Sequence, residues 1–406
     1  MSNFNHELNE RLDASRAQGL HRELRRVDSA QGTRIQMGGR MFLNFSSNDY
    51  LGLANHPLLK EAAVRAVKKF GAGSGASRLI CGSLAPHHEL EEALASFKKT
   101  GAALAFSSGY ATAIGTICAL LGKDDIIVLD KLVHASVVDA ARLCGAKLRV
   151  FAHNDLNDLE DILKWANRVQ CPKSKVQSRG RLMIVTESIF SMDGDAAPLC
   201  EIATLKEKYG AWLMVDEAHA TGLYGKNRRG LAEELGVSDR IEIQMGTLGK
   251  ALGASGGFIC GSRTLIDFLV NHARSFIFST APVPAAAAAA TAAIQMVQSI
   301  EGEKRREMLW SRVREFQSQI GNTASRVRSR KSMIPSAIVP IMVGDEKKAV
   351  EVAAALRERG IFVPAIRYPT VARGKARLRV TLTTTHMTEE IHLLVATLKE
   401  IVNRKS

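Results

Sequence analysis

Short apolar segments alternate with amphipathic ones between about Glu61 and Pro284. Several apolar segments are rich in β-branched residues and apolar on both faces, as in parallel strands that helices cover on both sides. They read DIIVLD, KLRVFA, RLMIVTE, AWLMVDEA, IEIQMG and GGFICG, at residues 125–130, 147–152, 181–187, 211–218, 241–246 and 256–261. The segments between the earlier ones, such as LNDLEDILKWANRV, have helical spacing. The pattern therefore predicts a βα-repeated, mainly parallel sheet.

The pattern changes at an alanine-rich stretch that follows Pro284. Proline is tolerated in the first turn of a helix and alanine favours helix, so a long helix is predicted to begin there. The segments AIVPIMVG, EKKAVEVAAALRERG, RLRVTLT and TEEIHLLVATLKEIV then predict a smaller β-α-β-α unit. A further helix is predicted near Glu7 to Arg26, in a segment expected to pack with this unit. The predicted domains are 1–60, 61–285 (the larger domain) and 286–406 (the smaller C-terminal domain).

Length and composition fit an intracellular globular protein. The chain has 406 residues, of which 46% are hydrophobic, enough to bury a large core. Its six cysteines include no C-x-x-C pair, so neither a metal site nor a redox dithiol is predicted, and reduced thiols in a cytoplasmic protein are expected. The N-terminus lacks the apolar region of a signal peptide, and no apolar run approaches the ~20 residues that span a bilayer. We expect no membrane association.

The formal net charge of +14 raises nucleic-acid binding as an alternative. Basic clusters occur at Arg168–Arg181 and Ser325–Lys331. Both lack interleaved aromatic residues and lie between apolar segments, which favours solvated loops. We expect the net positive charge to attract an anionic substrate.

Asp216 and His219 follow directly on a predicted strand, in LMVDEAHATG. Ligands of open α/β sheets bind beyond the carboxyl ends of the strands, so these residues are candidates for a site. A buried carboxylate also needs a partner, because leaving it unpaired costs several kcal/mol. A helix cap would explain Asp216 taken alone. The nearby His219, with Gly222 allowing close approach of a ligand, favours a binding site.

Lys250 lies among small residues in QMGTLGKALGASGG. The stretch G-x-x-G-K is close to a nucleotide phosphate loop, but that motif needs four residues between its glycines and Ser or Thr after the lysine. Here two residues intervene and Ala251 follows. A lysine in such surroundings can form a Schiff base with a carbonyl. With Asp216 to keep a pyridine nitrogen protonated, Lys250 predicts pyridoxal phosphate as cofactor.

Two further segments suit this cofactor. FSSGYATAIG, at residues 106–115, follows an apolar run and is predicted to open a helix whose free N–H groups can bind a phosphate. His134, in DKLVHAS, comes shortly after a predicted strand, where its imidazole can stack on a flat ring. Taken singly, each also has an ordinary explanation: many helices open at Ser-Gly without a ligand, and many histidines are structural.

Ten sequence blocks together resemble one family. They are LNFSSNDYLGL, GAGSGASRLICGS with HHELEEALA, FSSGYATA, KLVHAS, FAHND, VTESIFSMDGDAAPL, LMVDEAHATG, TLGKALGASGG, FIFSTAP and AIRYPTVARGKARLRVTLT. In this order they identify the chain as similar to the α-oxoamine synthases, pyridoxal-phosphate enzymes of fold type I. The resemblance implies an α/β fold, with a mainly parallel seven-stranded sheet in the large domain and a smaller α+β C-terminal domain.

The resemblance also implies roles for individual residues. Lys250 would be the Schiff-base lysine, Asp216 the partner of the pyridine nitrogen, and His134 the residue stacked on the ring. With His219 these form the expected catalytic set. The other expected cofactor contacts are Gly109, Tyr110, Ser191 and Thr247, and His219 is expected to contact the cofactor as well. The expected substrate contacts are Asn48 and Arg379 at the amino-acid carboxylate, Arg22 and Thr370 at the acyl substrate, and His134.

The reaction implied is a decarboxylative condensation of an amino acid with an acyl thioester. FAHND, SMDGD and the AIR-x-PTV segment resemble those of the members that use L-alanine and a pimeloyl thioester, carried by coenzyme A or by a carrier protein. RLICG instead resembles the members that join glycine to acetyl-CoA, and this alternative stays open. The family further implies a homodimer with the site at the subunit interface. Ser279 or Thr280 of FIFSTAP would contact the neighbour's phosphate.

Overall fold

The computed structural model describes residues 3–169, 180–320 and 334–403. The basic cluster at 325–331 lies outside the described residues, as does most of the cluster at 168–181. Among the described helices, none has both the length and the apolar character needed to cross a membrane.

The apolar segments correctly predict the strands that begin at Ile126, Lys147, Leu182, Trp212, Ile243, Gly257, Ile338 and Ala376, whereas the other described strands were not predicted. In chain order the described strands are β1 (Arg34–Met37), β2 (Arg40–Asn44), β3 (Ala102–Phe106), β4 (Ile126–Asp130), β5 (Lys147–Phe151), β6 (Leu182–Glu187), β7 (Trp212–Asp216), β8 (Ile243–Thr247), β9 (Gly257–Gly261), β10 (Ile338–Gly344), β11 (Ile361–Phe362), β12 (Ala365–Ile366) and β13 (Ala376–Thr381).

Helices occupy the intervening segments. They are α1 (Asn3–Ala17), α2 (Pro57–Phe70), α3 (Ala85–Lys98), α4 (Gly109–Leu120), α5 (Ala135–Leu143), α6 (Leu156–Val169), α7 (Leu199–Tyr209), α8 (Leu231–Glu234), α9 (Arg263–His272), α10 (Arg274–Ile277), α11 (Pro284–Gln298), α12 (Ile300–Ile320), α13 (Glu346–Glu358) and α14 (Thr388–Asn403). A short 3-10 turn covers Ser238–Arg240. The predicted helix start at Pro284 is confirmed.

The chain divides into two compact units. The larger unit comprises Leu51–Ser191 and Asp195–Arg306, and the smaller one comprises Met1–Tyr50, Met192–Gly194 and Glu307–Ser406. These bounds differ from those expected at residues 60 and 285. The predicted division into domains stays a prediction.

A seven-stranded sheet forms the centre of the larger unit, in the order β3-β9-β8-β7-β6-β4-β5. Neighbouring strands from β8 to β5 are parallel, whereas β9 pairs antiparallel with both β3 and β8. This confirms the predicted fold, a mainly parallel seven-stranded sheet.

The inner strands β4, β6 and β9 are buried along their whole length, as is the edge strand β3, which explains their continuous apolar sequences. On one face Ile127, Met183 and Met214 pack in a cluster with Ile117 of α4 and Val137 of α5. At ~25 cal/mol per Å² of apolar surface removed from water, burial of this kind is the main force that holds the sheet between its helices. The loops at the carboxyl ends of the strands are thereby fixed on a rigid support.

The smaller unit contains two three-stranded sheets, with strand orders β1-β2-β11 and β10-β13-β12. Its N-terminal helix is shorter than expected: the prediction was Glu7 to Arg26, but α1 ends at Ala17. Gly19 explains the end, because it has a positive φ of 66° and donates its N–H to the carbonyl of Arg16 (2.9 Å). Glycine adopts this conformation without steric cost and is a common helix terminator.

Candidate active site

Two carboxylates lie side by side at the carboxyl ends of neighbouring strands. Asp216 ends β7 and Glu187 ends β6, and the parallel register places the two residues opposite each other. Both are buried, at 5% and 2% relative exposure. Burial raises the pKa of each carboxyl, and the charge of Asp216 raises that of Glu187 further. Such a pair favours a cation placed against it, since a nearby positive charge stabilises the ionised form.

Lys250 supplies a cation at this edge of the sheet. It follows β8, the strand next to β7, and its Nζ lies 2.7 Å from Nε2 of His219. The positive charge of Lys250 lowers the pKa values of Asp216 and Glu187, which opposes the effect of burial. The structure thus brings together Lys250, Asp216 and His219, three residues that the sequence placed in the site.

His134 is the N-terminal cap of α5. Its Nδ1 accepts the N–H of Ser136 (3.2 Å) and lies 2.8 Å from the Ser136 hydroxyl. A ring nitrogen that accepts carries no proton, so a neutral His134 has its hydrogen on Nε2. Enclosure by surrounding protein lowers the pKa of His134, while the charge of Asp216 raises it and that of Lys250 lowers it. The ring nevertheless stays open to solvent, as a ring that stacks on a ligand must be before the ligand binds.

The amino end of α4 lies beside this cluster. Ser108 caps the helix, its hydroxyl accepting the N–H of Ala111 (3.1 Å). A Cβ on Gly109 would lie 3.9 Å from the Thr247 side chain, so these two expected cofactor contacts are neighbours. The Thr247 hydroxyl donates to the carbonyl of Gly256 (3.0 Å), at the end of the loop that carries Lys250. The predicted helix start in the FSSGYATAIG segment is confirmed.

Close packing of two elements explains why Gly257, one of the small residues after Lys250, has no side chain. A Cβ at this position would lie 2.8 Å from the Cα of Gly109 and 2.5 Å from the Thr112 hydroxyl, closer than packed atoms approach. The start of β9 therefore packs directly on the start of α4, and only glycine fits between them.

Ser191 and Tyr110 complete the expected cofactor contacts. The N–H of Ser191 donates to Oε2 of Glu187 (3.1 Å), which joins it to the carboxylate pair. The Tyr110 ring is half exposed, and its hydroxyl donates to Asp139 (2.8 Å). The position of Tyr110 on the first turn of α4 leaves its ring accessible to a ligand near the helix end.

These residues fit pyridoxal phosphate. They offer an amine for its aldehyde, a buried carboxylate for its ring nitrogen, an accessible imidazole for its ring face and a capped helix amino end for its phosphate. One oxygen of Glu187, Oε1, is buried without a hydrogen-bond partner among the described residues. A buried orphan acceptor of this kind indicates a polar group that completes the site.

Apart from His134, the expected substrate residues lie in the smaller unit. Arg22 donates from Nη2 to the Thr370 hydroxyl at 3.5 Å, so the two residues expected at the acyl substrate are adjacent. Arg379 is buried on β13, and its Nη1 donates to the Thr381 hydroxyl (3.0 Å). The Asn48 side-chain oxygen accepts from the hydroxyl of Tyr50 (3.4 Å). Their roles at a substrate stay predictions.

Ser279 and Thr280, expected at a neighbouring subunit's phosphate, lie in the segment after α10. Thr280 is exposed and forms an antiparallel bridge with Ser77, while Phe278 beside them is 71% exposed.

Sequence reasoning missed Glu187 altogether. The available signal was a second acidic residue at the end of an apolar strand, in the same position as Asp216.

Comparison with known families gives a match over nearly the whole chain. Residues 40–398 match the model of the aminotransferase class I and II family. A relative from Geotalea daltonii, an 8-amino-7-oxononanoate synthase, is 46% identical over 97% of this chain and 96% of its own length. One from Bacillus pumilus with the same name is 41% identical over 97% of this chain and 96% of its own.

A solved structure gives the same picture. A serine palmitoyltransferase from S. paucimobilis, solved with bound pyridoxal phosphate and myriocin, matches with a TM-score of 0.89 and 28% identity. The match covers 98% of this chain and 97% of that one. The chain is therefore similar over its whole length to an enzyme that holds the cofactor predicted here.

Proposed function

Because the chain belongs to the class I and II aminotransferase family, and within it to the α-oxoamine synthases, we propose that it condenses L-alanine with a pimeloyl thioester. Its activity is that of an 8-amino-7-oxononanoate synthase, a pyridoxal-phosphate-dependent acyltransferase of biotin biosynthesis. The condensation releases CO2 and the thiol carrier. The observation that carries the assignment is the near-full-length identity of 41–46% to synthases of this name.

When bound, pyridoxal phosphate would supply an aldehyde for the substrate amine and a ring that withdraws electrons from the substrate Cα. Lys250 would hold it covalently through Nζ, and Asp216 would keep the proton on its ring nitrogen. The fixed charge of Asp216 suits this task because it is buried, where an electrostatic interaction is stronger than in water.

We propose the Lys250 amine, when it is free, as the base that would remove the proton from the substrate Cα. Its hydrogen bond to Nε2 of His219 holds Nζ at one place at the carboxyl edge of the sheet. A general base must first lie within hydrogen-bond distance of the proton that it removes, and a fixed Nζ position serves this requirement. The pKa of the base determines its efficiency only after that. His134 would cover one face of the ring and exclude water from it.

For the substrates, we propose Arg379 and Asn48 as contacts of the alanine carboxylate, and His134 as a further substrate contact. Arg379 suits this role because a guanidinium binds a carboxylate through two parallel hydrogen bonds. Arg22 and Thr370 would contact the acyl substrate, and their mutual contact at 3.5 Å supports a shared role.

We further propose a homodimer with the site at the subunit interface, where Ser279 or Thr280 contacts the neighbour's phosphate. The exposed Phe278 and Thr280 support this proposal.

A cytoplasmic location is proposed as well, supported by the free thiols of the described cysteines. Nucleic-acid binding is the remote alternative, and its two basic clusters lie mostly outside the described residues.

A substrate panel tests the choice of thioester and amino acid. Release of free thiol is measured with pimeloyl-, acetyl- and long-chain acyl-CoA and with a pimeloyl carrier protein, each with alanine, glycine or serine. We expect the highest kcat/KM for a pimeloyl donor with alanine. A preference for acetyl-CoA with glycine would instead support the activity of a 2-amino-3-ketobutyrate ligase, which the RLICG segment favours. Lys250→Ala serves as the inactive control.

A further inference from the structure

His153 lies between two carboxylates in the larger unit. Its Nδ1 is 3.0 Å from Oδ1 of Asp130, and its Nε2 is 2.8 Å from Oδ2 of Asp195. The Asp130 side chain is fully buried, and those of His153 and Asp195 are 13% and 14% exposed. The FAHND segment, to which the site assignments give no residue, thus meets the SMDGD segment at one ion-paired histidine.

The geometry determines the protonation state of His153. A carboxylate only accepts hydrogen bonds, so a ring with a carboxylate at each nitrogen carries a hydrogen on both and is an imidazolium. Burial opposes this charge, but the hydrogen bonds to Asp130 and Asp195 outweigh it and raise the pKa of His153 to about 9. The Phe190 ring meets the imidazole edge-on, with centroids 4.4 Å apart, and fixes its plane.

Each carboxylate belongs to a segment that leads to an expected cofactor contact. Asp130 is the last residue of β4 and accepts the N–H groups of Leu132 (2.8 Å) and Asn154 (2.9 Å). It therefore fixes the beginning of the loop that ends at His134. The carbonyl of Asp195 accepts the N–H of Phe190 (2.9 Å), the residue next to Ser191.

Asn154 strengthens the same connection. It has a positive φ of 56°, which is uncommon for a residue other than glycine, and its side chain donates to the carbonyl of Ala196 (3.1 Å). Its backbone N–H is held by Asp130. The His153–Asn154 pair thus joins the end of β4 to the segment around Asp195 by side-chain and backbone bonds.

We propose that His153 is a positioning residue whose positive charge joins the loop of His134 to the segment of Ser191, and so sets the cofactor site. The inference rests on the proposed function for the identity of the cofactor. The charge is essential to this role, because a neutral side chain would leave two carboxylates facing each other across one site. Asp130 and Asp195 would then repel and separate the two segments.

His153→Gln tests the inference, with His272→Gln as the control, since His272 is an exposed histidine of α9 bonded to a backbone carbonyl. The wild type is first shown to bind pyridoxal phosphate and to catalyse the condensation, which tests the proposed function by itself. For His153→Gln we expect the dissociation constant of the cofactor to rise about tenfold, the lower end of effects for residues that orient direct ligands. The visible circular dichroism of the bound cofactor should also weaken.

Asp195→Asn in the His153→Gln background separates charge compensation from simple packing. Removal of the second carboxylate charge relieves the repulsion, so the double variant should bind the cofactor more tightly than His153→Gln does. If His153→Gln does not fold, comparison of the double variant with Asp195→Asn alone gives the same test. The inference is overturned if cofactor affinity and dichroism of His153→Gln stay at wild-type values. It is also overturned if the double variant binds the cofactor no more tightly than His153→Gln does. An inactive wild type that takes up no cofactor would overturn the proposed function instead.

Discussion

The Nζ of Lys250 lies 2.7 Å from Nε2 of His219, although 31 positions separate the two residues in the chain. His219 follows β7 and Lys250 follows β8, and these strands are neighbours in the sheet. The parallel order of the strands therefore places the amine and the imidazole at one edge. It places Asp216, the last residue of β7, at the same edge.

Lys250→Ala removes the proposed covalent anchor and base. We expect kcat to fall by about 10⁴-fold, the upper range for loss of general base catalysis. The visible absorption of lysine-bound cofactor should disappear as well. Absorption spectra and the thiol-release assay measure both effects. Lys226→Ala, at an exposed position of the same unit, should keep colour and activity; retained activity in Lys250→Ala would refute the assignment.

Asp216→Asn keeps the size of the side chain but removes its charge. We expect part of the cofactor to remain bound while kcat falls about a thousandfold, as when a fixed electrostatic contact to the reacting centre is lost. Equilibrium binding and steady-state kinetics separate the two effects. Asp239→Asn, at an exposed position, is the control. Equal loss of binding and of turnover would contradict the proposed role at the ring nitrogen.

Gly257→Ala forces a methyl group against the start of α4. The new Cβ would lie 2.8 Å from the backbone of Gly109, so the helix end must move. Overpacking of this kind costs about 1–3 kcal/mol of unfolding free energy, and cofactor affinity should fall with it. Gly122→Ala is the matched control, because no atom lies within 4 Å of its Cβ position. Denaturant unfolding and cofactor titration give the two readouts.

Lys98 and Glu217 form a buried ion pair in the larger unit, with Nζ and Oε2 2.5 Å apart and both side chains 1% exposed. Lys98→Met leaves the carboxylate buried without its partner, so the unfolding free energy should fall by about 3–5 kcal/mol. The exposed Lys68→Met should change it little. Chemical denaturation measures both variants, and an equally small effect at Lys98 would show that Glu217 is compensated elsewhere.

His386 makes the smaller unit sensitive to acid. Burial lowers its pKa to about 4, although its Nε2 donates to the carbonyl of Asn44 (3.1 Å). The unfolded chain binds a proton below about pH 6.5 and the folded chain only below about pH 4, so stability falls as the pH drops through this window. The loss is about 3 kcal/mol. The unfolding free energy of His386→Gln, measured at several pH values, should not show this acid-dependent loss. If His386→Gln keeps the pH profile of the wild type, His386 is not the cause of the loss.

The sequence by itself determined most strands of the central sheet, and it selected Lys250 and Asp216 as the candidates for the chemistry. Strands buried on both faces leave continuous apolar runs, and the residues that follow such runs lie at a sheet edge. Lys250 and Asp216 could be selected because each stands at such a point with a side chain whose chemistry is specific. The same local logic predicted the starts of α4 and α11, while the end of α1 at Ala17 was missed although Gly19 marks it.

The tertiary structure decided which of these positions meet. Strand order and register place Glu187 opposite Asp216, and the folded loops bring His153 between Asp130 and Asp195, which no local pattern encodes. Pairing across strands depends on burial shared by segments far apart in the chain, so the sequence around one residue does not contain it. The protonation states follow from the same fact, because the burial and the neighbouring charges that set a pKa exist only once the chain has folded.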